Sequence, residues 1–161
     1  MRIARSISLL LVAFALPVQP VCYYPNGDAS NQDVPCNDGD DESTCCGPGL
    51  ACLGNNLCMA TGVGIQSPTM KSTYVRGTCT DRSWRSGNCP NFCINDEVDR
   101  LDQGMPIEKC PANKDNDDDD GEEEGGKEEL YYCVNKRKPD CANRHNVLVF
   151  EGESDIHGVM E

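Results

Sequence analysis

Ser43-Thr44-Cys45-Cys46-Gly47-Pro48-Gly49-Leu50-Ala51-Cys52-Leu53-Gly54-Asn55-Asn56-Leu57-Cys58 decides the fold class. Four cysteines fall inside it, two of them adjacent, and turn-forming residues separate its short apolar runs. Gly47-Pro48-Gly49 reads as a tight reversal, and Gly54-Asn55 as the tip of a hairpin between Leu50–Leu53 and Asn56–Met59. Upstream, Pro25-Asn26-Gly27-Asp28 and Asn37-Asp38-Gly39-Asp40 repeat the theme. Only short strands fit between such turns. Downstream, Tyr74–Thr80, Leu130–Val134 and Asn146–Phe150 read as strands, and the last two can pair across the loop that holds Cys141. Thr80 or Asp81 caps a helical turn that runs to Trp84, and Trp84, the only tryptophan, is expected at the centre of a small core.

The whole chain has the same character. Twelve cysteines occur in 161 residues, while aromatics make up 6% and mean hydropathy is −0.54. So thin an apolar supply leaves cross-links to hold the fold. The cysteines are Cys22, Cys36, Cys45, Cys46, Cys52, Cys58, Cys79, Cys89, Cys93, Cys110, Cys133 and Cys141. An even number at short spacings predicts six disulfides, each adding roughly 2–4 kcal/mol. The expected fold class is a small disulfide-rich protein, mainly β and irregular, with short strands and turns. Zinc is the competing use of cysteine, but no C-x2-C pair occurs and the two histidines, His145 and His157, follow the last cysteine.

Residues 1–20 read as a secretory signal peptide, with cleavage between 15 and 21. Arg2 and Arg5 precede the apolar run Ile7–Leu16, and Ala13-Phe14-Ala15 is an A-x-A-like site. The run is too short to span a bilayer, and Pro17 and Pro20 end it. No second apolar run of that length follows, and no hydrophobic tail of the GPI type closes the chain. A secreted, extracellular protein without a membrane span in its mature form is expected. Loss of Arg2 and Arg5 takes the net charge from −13 to about −15, a balance that argues against nucleic acid and anionic membrane surfaces.

Four stretches follow the signal: a cysteine-rich module at 21–59, a connecting loop at 60–73, a second cysteine-rich module at 74–150, and a mobile tail at 151–161. The second module carries a disordered acidic insertion at 114–129, where Asp117–Asp120 and Glu122–Glu124 repel one another. An EF-hand register with Gly121 at position 6 puts Lys127 at position 12, which cannot ligate calcium. No metal or cofactor site is expected. Catalysis lacks a base in the cross-linked region, and Ser154, Asp155 and His157 lie in the tail. The chain is therefore expected not to be an enzyme. Lys136-Arg137-Lys138 is the only basic cluster. It reads as a solvated turn before Pro139, or as a dibasic processing site at Lys136 and Arg137 whose pieces stay linked if Cys133 bonds Cys141. No Asn-x-Ser/Thr sequon is present. The adjacent cysteines resemble those of small chitin-binding lectins, but no aromatic follows Cys46 before Tyr74.

The order of the first six cysteines, with an adjacent pair in the middle, resembles that of inhibitor cystine knots. That resemblance implies Cys22–Cys46, Cys36–Cys52 and Cys45–Cys58, and so a knot-like N-terminal half. The loops before the pair are longer than in most knots, and counting alone leaves roughly ten thousand pairings open.

Cys22-Tyr23-Tyr24-Pro25-Asn26-Gly27, Asp33-Val34-Pro35-Cys36, Ser43–Gly49, Cys52-Leu53, Leu57-Cys58, Arg76–Asp81, Ser83-Trp84 and Cys89-Pro90-Asn91-Phe92-Cys93 together resemble small secreted cysteine-rich proteins of filamentous ascomycete fungi. The match runs from Cys22 to Cys93 and more loosely to Cys141. It implies an extracellular cysteine-rich domain without established activity and supplies no catalytic residues. Some similar proteins continue into a Ser/Thr-rich stalk and a membrane span, which this sequence does not show. The expected function is effector-like binding of a host or cell-wall component by a monomer, its partner an extracellular protein or wall polysaccharide. A structural wall protein and a knottin-type proteinase inhibitor, reactive at Asp28–Val34, are the alternatives.

Overall fold

The computed structural model describes residues 20–62, 72–111 and 129–150, and the backbone of Ile156–Val159. The signal peptide, apart from Pro20, and the acidic insertion, apart from Glu129, lie outside them. Every described element is a strand: β1 (Cys22–Tyr23), β2 (Ala29–Ser30), β3 (Val34–Pro35), β4 (Thr44–Cys46), β5 (Leu50–Leu53), β6 (Cys58–Ala60), β7 (Tyr74–Arg76), β8 (Thr78–Cys79), β9 (Met105–Lys109), β10 (Leu130–Cys133), β11 (Leu148–Val149) and β12 (Ile156–Val159). The mainly β, disulfide-rich class expected from the sequence is the one observed.

The strands form two antiparallel sheets. One has the order β2-β1-β8-β4-β3, the other β11-β10-β9-β7-β6-β5-β12. The turns set the hairpins. Tyr24 and Asp28 close the β1–β2 loop with Gly27 at φ +87°, and Leu53 and Leu57 close the β5–β6 loop with Asn56 at φ +63°. Both are three-residue connections ending in a left-handed residue, the geometry that matches strand twist. Of the three passages of the chain between the sheets, two are tight and bear a glycine. At the first, Leu50 N–H donates to Gly47 O (3.1 Å) across Pro48 and Gly49, with Gly49 at φ +77°, a type II arrangement. At the second, Gly77 separates β7 from β8, and a Cβ there would lie 2.1 Å from Cys45 O and 2.8 Å from Cys58 Sγ. The single strand expected over Tyr74–Thr80 is therefore two strands in different sheets.

Three further expectations need correction. Thr80–Trp84 forms a turn rather than a helix start, because Asp81 accepts hydrogen bonds from the backbone of Ser83, Arg85 and Ser86 and holds the chain in a loop. Trp84 is half-buried and donates through Nε1 to Tyr23 O (3.1 Å) rather than filling the core. The core instead gathers Leu53, Leu57, Met105, Ile107 and Tyr131, with Tyr74, Phe92 and Phe150 packed against it. Tyr74–Tyr131, Tyr131–Phe150 and Phe150–Phe92 meet edge to face at centroid distances of 5.3, 5.3 and 5.2 Å, the arrangement favoured by ring quadrupoles. Finally, the tail expected to be mobile contains β12, which pairs with the open edge of β5 through Ile156↔Leu53 and Val159↔Ala51.

All twelve cysteines are paired and none is free. Cys36–Cys52 is the bridge the knot resemblance implied, but the adjacent pair is exchanged, giving Cys22–Cys45 and Cys46–Cys58. Neighbours in a strand face opposite sides, so Cys45 turns to β1 and Cys46 to β6. The segments closed by these two bridges do not overlap, and the mutual threading of a knot is not formed. The other bridges are Cys79–Cys89, Cys93–Cys133 and Cys110–Cys141. No bridge joins Cys22–Cys58 to Cys79–Cys141, yet both sheets draw strands from both stretches.

Candidate functional groove

Among several shallow depressions of the described residues, one groove of about 270 Å³ lies between the loop 91–99 and the β10–β11 connection and has the most apolar side chains in its wall. Its position follows from three restraints on the loop. Cys93–Cys133 ties the loop to β10. Asp99 accepts from Asn135 Nδ2 (2.6 Å) through one oxygen and from Asn95 N–H (2.8 Å) through the other. Beneath it, Arg76 is fully buried.

Arg76 is the internal fastener of this region. Its Nη1 donates to Cys93 O (2.7 Å), and its Nη2 donates to Arg100 O (3.1 Å) and Gln103 O. The Trp84 ring lies 5.7 Å from the guanidinium carbon, within cation–π range. Burial lowers its pKa from 12.5 to about 10, against the pull of Asp99, Tyr24 and Asp102, so it remains cationic at neutral pH. A strand that ends in a buried cation thus sets where the loop 93–103 runs.

The groove wall is mixed. Phe92, Val98 and Leu148 supply apolar surface, and Asn91, Asn95, Asn135, Asn146 and Arg137 supply polar groups. Ile94 and Val134 lie exposed at 39% and 41%. The amides are partly committed to the frame: Asn91 donates to Ser86 O, Asn135 to Asp99, and Asn146 to Lys138 O. Lys136 and Arg137, singled out in the sequence, are exposed on the β10–β11 connection, with Arg137 at the groove's rim. Cys133 and Cys141 are not bonded to each other, contrary to the condition attached to the processing site. Each instead bonds a cysteine upstream of the basic cluster.

His145 is exposed and meets Asp140 through backbone hydrogen bonds. The side chains of Ser154, Asp155 and His157, and the EF-hand register, lie outside the described residues. Cys36, Cys46 and Cys52 bring three sulfurs within 4.8 Å of one another, but all three are oxidised and offer no thiolate to a metal. Sequence reasoning missed Arg76 and the loop 94–99. The only local signal was a charged residue between Val75 and Gly77 in a strand otherwise fit for burial.

These features define a small disulfide-rich, mainly β protein. Six disulfides suit a stabilised protein of an oxidising compartment, and among the described residues no helix is long and apolar enough to cross a membrane. Comparison with known proteins finds no matching family model, no matching curated protein and no matching solved structure.

Proposed function

We propose that the chain is a secreted fungal protein that acts outside the cell, without catalysis, by effector-like binding of a host or cell-wall component. The observation that carries this reading is the groove: a shallow, mixed surface with exposed Ile94, fixed from below by Arg76 and from the side by Cys93–Cys133. Rigid presentation of such a surface lowers the ordering cost of association. The inhibitor alternative loses the knot connectivity on which it leaned, and its reactive segment Asp28–Val34 is partly taken up by β2 and the start of β3.

The test is co-sedimentation of the oxidised protein with insoluble chitin, β-glucan and mannan, together with binding to immobilised extracellular host proteins. The expected result is saturable binding to one of these, lost in Ile94→Asp while the thermal transition is kept. Absence of binding across the panel, or turnover of an offered substrate, overturns the reading. Stoichiometric inhibition of a protease would favour the inhibitor instead.

A further inference from the structure

We propose that the Arg137–Lys138 bond is a processing site for a dibasic-specific serine endoprotease of the secretory pathway, and that the cut yields a two-chain molecule held by Cys110–Cys141. The site stands on four observations. Lys136, Arg137 and Lys138 are all exposed. None of their side chains forms an ion pair with a described residue, although acidic residues outnumber basic ones 27 to 14. The bond lies outside every strand, in the long connection between β10 and β11. Its flanks are tethered by exposed contacts, Arg137 N–H to Asn135 Oδ1 (2.7 Å) and Asn146 Nδ2 to Lys138 O (3.1 Å). Such segments open locally at low cost, which is what a protease cleft requires of a folded substrate.

The neighbouring residues select the bond. Lys136 and Arg137 provide the paired cations that an acidic protease cleft attracts. The next bond, Lys138–Pro139, is protected, because proline brings a tertiary amide without N–H and a ring beside the carbonyl. Hydrolysis adds one water, leaving a carboxylate on Arg137 and an ammonium on Lys138. Arg137 lines the groove, so both new charges arise at its rim. The upstream chain keeps Cys93–Cys133 internally. The downstream chain carries β11 and β12 and is joined covalently through Cys141 to Cys110. The inference rests on secretion and on the loop, and holds whatever the groove binds.

The test digests the purified, oxidised full chain with a kexin-type dibasic endoprotease. The intact mass should rise by one water, the protein should stay a single species on a non-reducing gel, and reduction should release a fragment beginning at Lys138. Arg137→Gln should abolish the cut while keeping the thermal transition. The inference is overturned if the folded protein resists while the reduced, alkylated chain is cut after Arg137. It is equally overturned if cleavage falls elsewhere, or if the cut halves separate without reductant.

Discussion

Replacing Arg76 by Met keeps the length of the side chain and removes the cation. Three carbonyls, those of Cys93, Arg100 and Gln103, then lose their donor. Hydrogen bonds to a charged group contribute roughly 1.5–3 kcal/mol each, so the gross loss is about 4.5–9 kcal/mol. Met also relieves the cost of burying the charge. A guanidinium brought from 12.5 to about 10 carries roughly 3 kcal/mol of that cost. The net destabilisation is then about 2–6 kcal/mol, since the orphaned carbonyls stay buried. For a domain of about one hundred residues, each kcal/mol lowers Tm by about 4–8 °C, so a fall of about 8 °C or more is expected by calorimetry. Hydrogen exchange should show the loop 93–103 losing protection before the sheets. Arg76→Lys, whose single ammonium cannot serve all three carbonyls, should fall between the two. An unchanged Tm together with unchanged exchange in that loop would refute the view that Arg76 positions the groove.

Gly77→Ala should destabilise by at least the roughly 1–3 kcal/mol typical of overpacking, because the new methyl meets Cys45 O at 2.1 Å, a backbone atom that cannot swing away. Urea titration of the oxidised protein checks this. Asp81 has its pKa lowered to about 2, first by the Ser83 hydroxyl and then by the backbone N–H groups of Ser83, Arg85 and Ser86. A folded-state value below the ordinary 3.8 stabilises above that pH and is lost as pH falls through about 2. The Tm advantage of the native protein over Asp81→Asn should therefore shrink across that window, and a constant gap would count against the assignment. Deleting Asp115–Glu124 should leave Tm nearly unchanged. Cys110 N–H already bonds Leu130 O (2.7 Å) across the insertion, and loop closure changes by only about 0.6 kcal/mol per doubling of length.

The turns were legible because their chemistry is local. Gly27, Gly47-Pro48-Gly49 and Gly54-Asn55 each mark a reversal that the structure contains. The β5–β6 pairing follows from Gly54-Asn55, and the β10–β11 pairing from the two strand-like runs on either side of the loop that holds Cys141. β9 was not legible, since Pro106 reads as a breaker. In the sheet its carbonyl nonetheless accepts from Val134 N–H (2.9 Å), while Met105 and Ile107 point into the core. The exchange at Cys45 and Cys46 depends on which face of β4 meets which sheet, and a one-residue change of parity reverses it. Gly77 offered no sequence cue to its role, because the atoms that exclude a side chain come from Cys45 and Cys58. Of the candidate site, Lys136 and Arg137 were visible as charges. The groove was not, because it depends on Arg76 reaching across to Cys93 and on Asp99 reaching Asn135.

The central claim is that one set of six bridges, with the adjacent cysteines divided between two sheets, holds the fold and its groove. Partial reduction at acidic pH, alkylation and peptide mass mapping test it directly. The account predicts no free thiol and the pairs Cys22–Cys45, Cys36–Cys52, Cys46–Cys58, Cys79–Cys89, Cys93–Cys133 and Cys110–Cys141. Recovery of Cys22–Cys46 with Cys45–Cys58, or of two or more reactive thiols per chain, would contradict it.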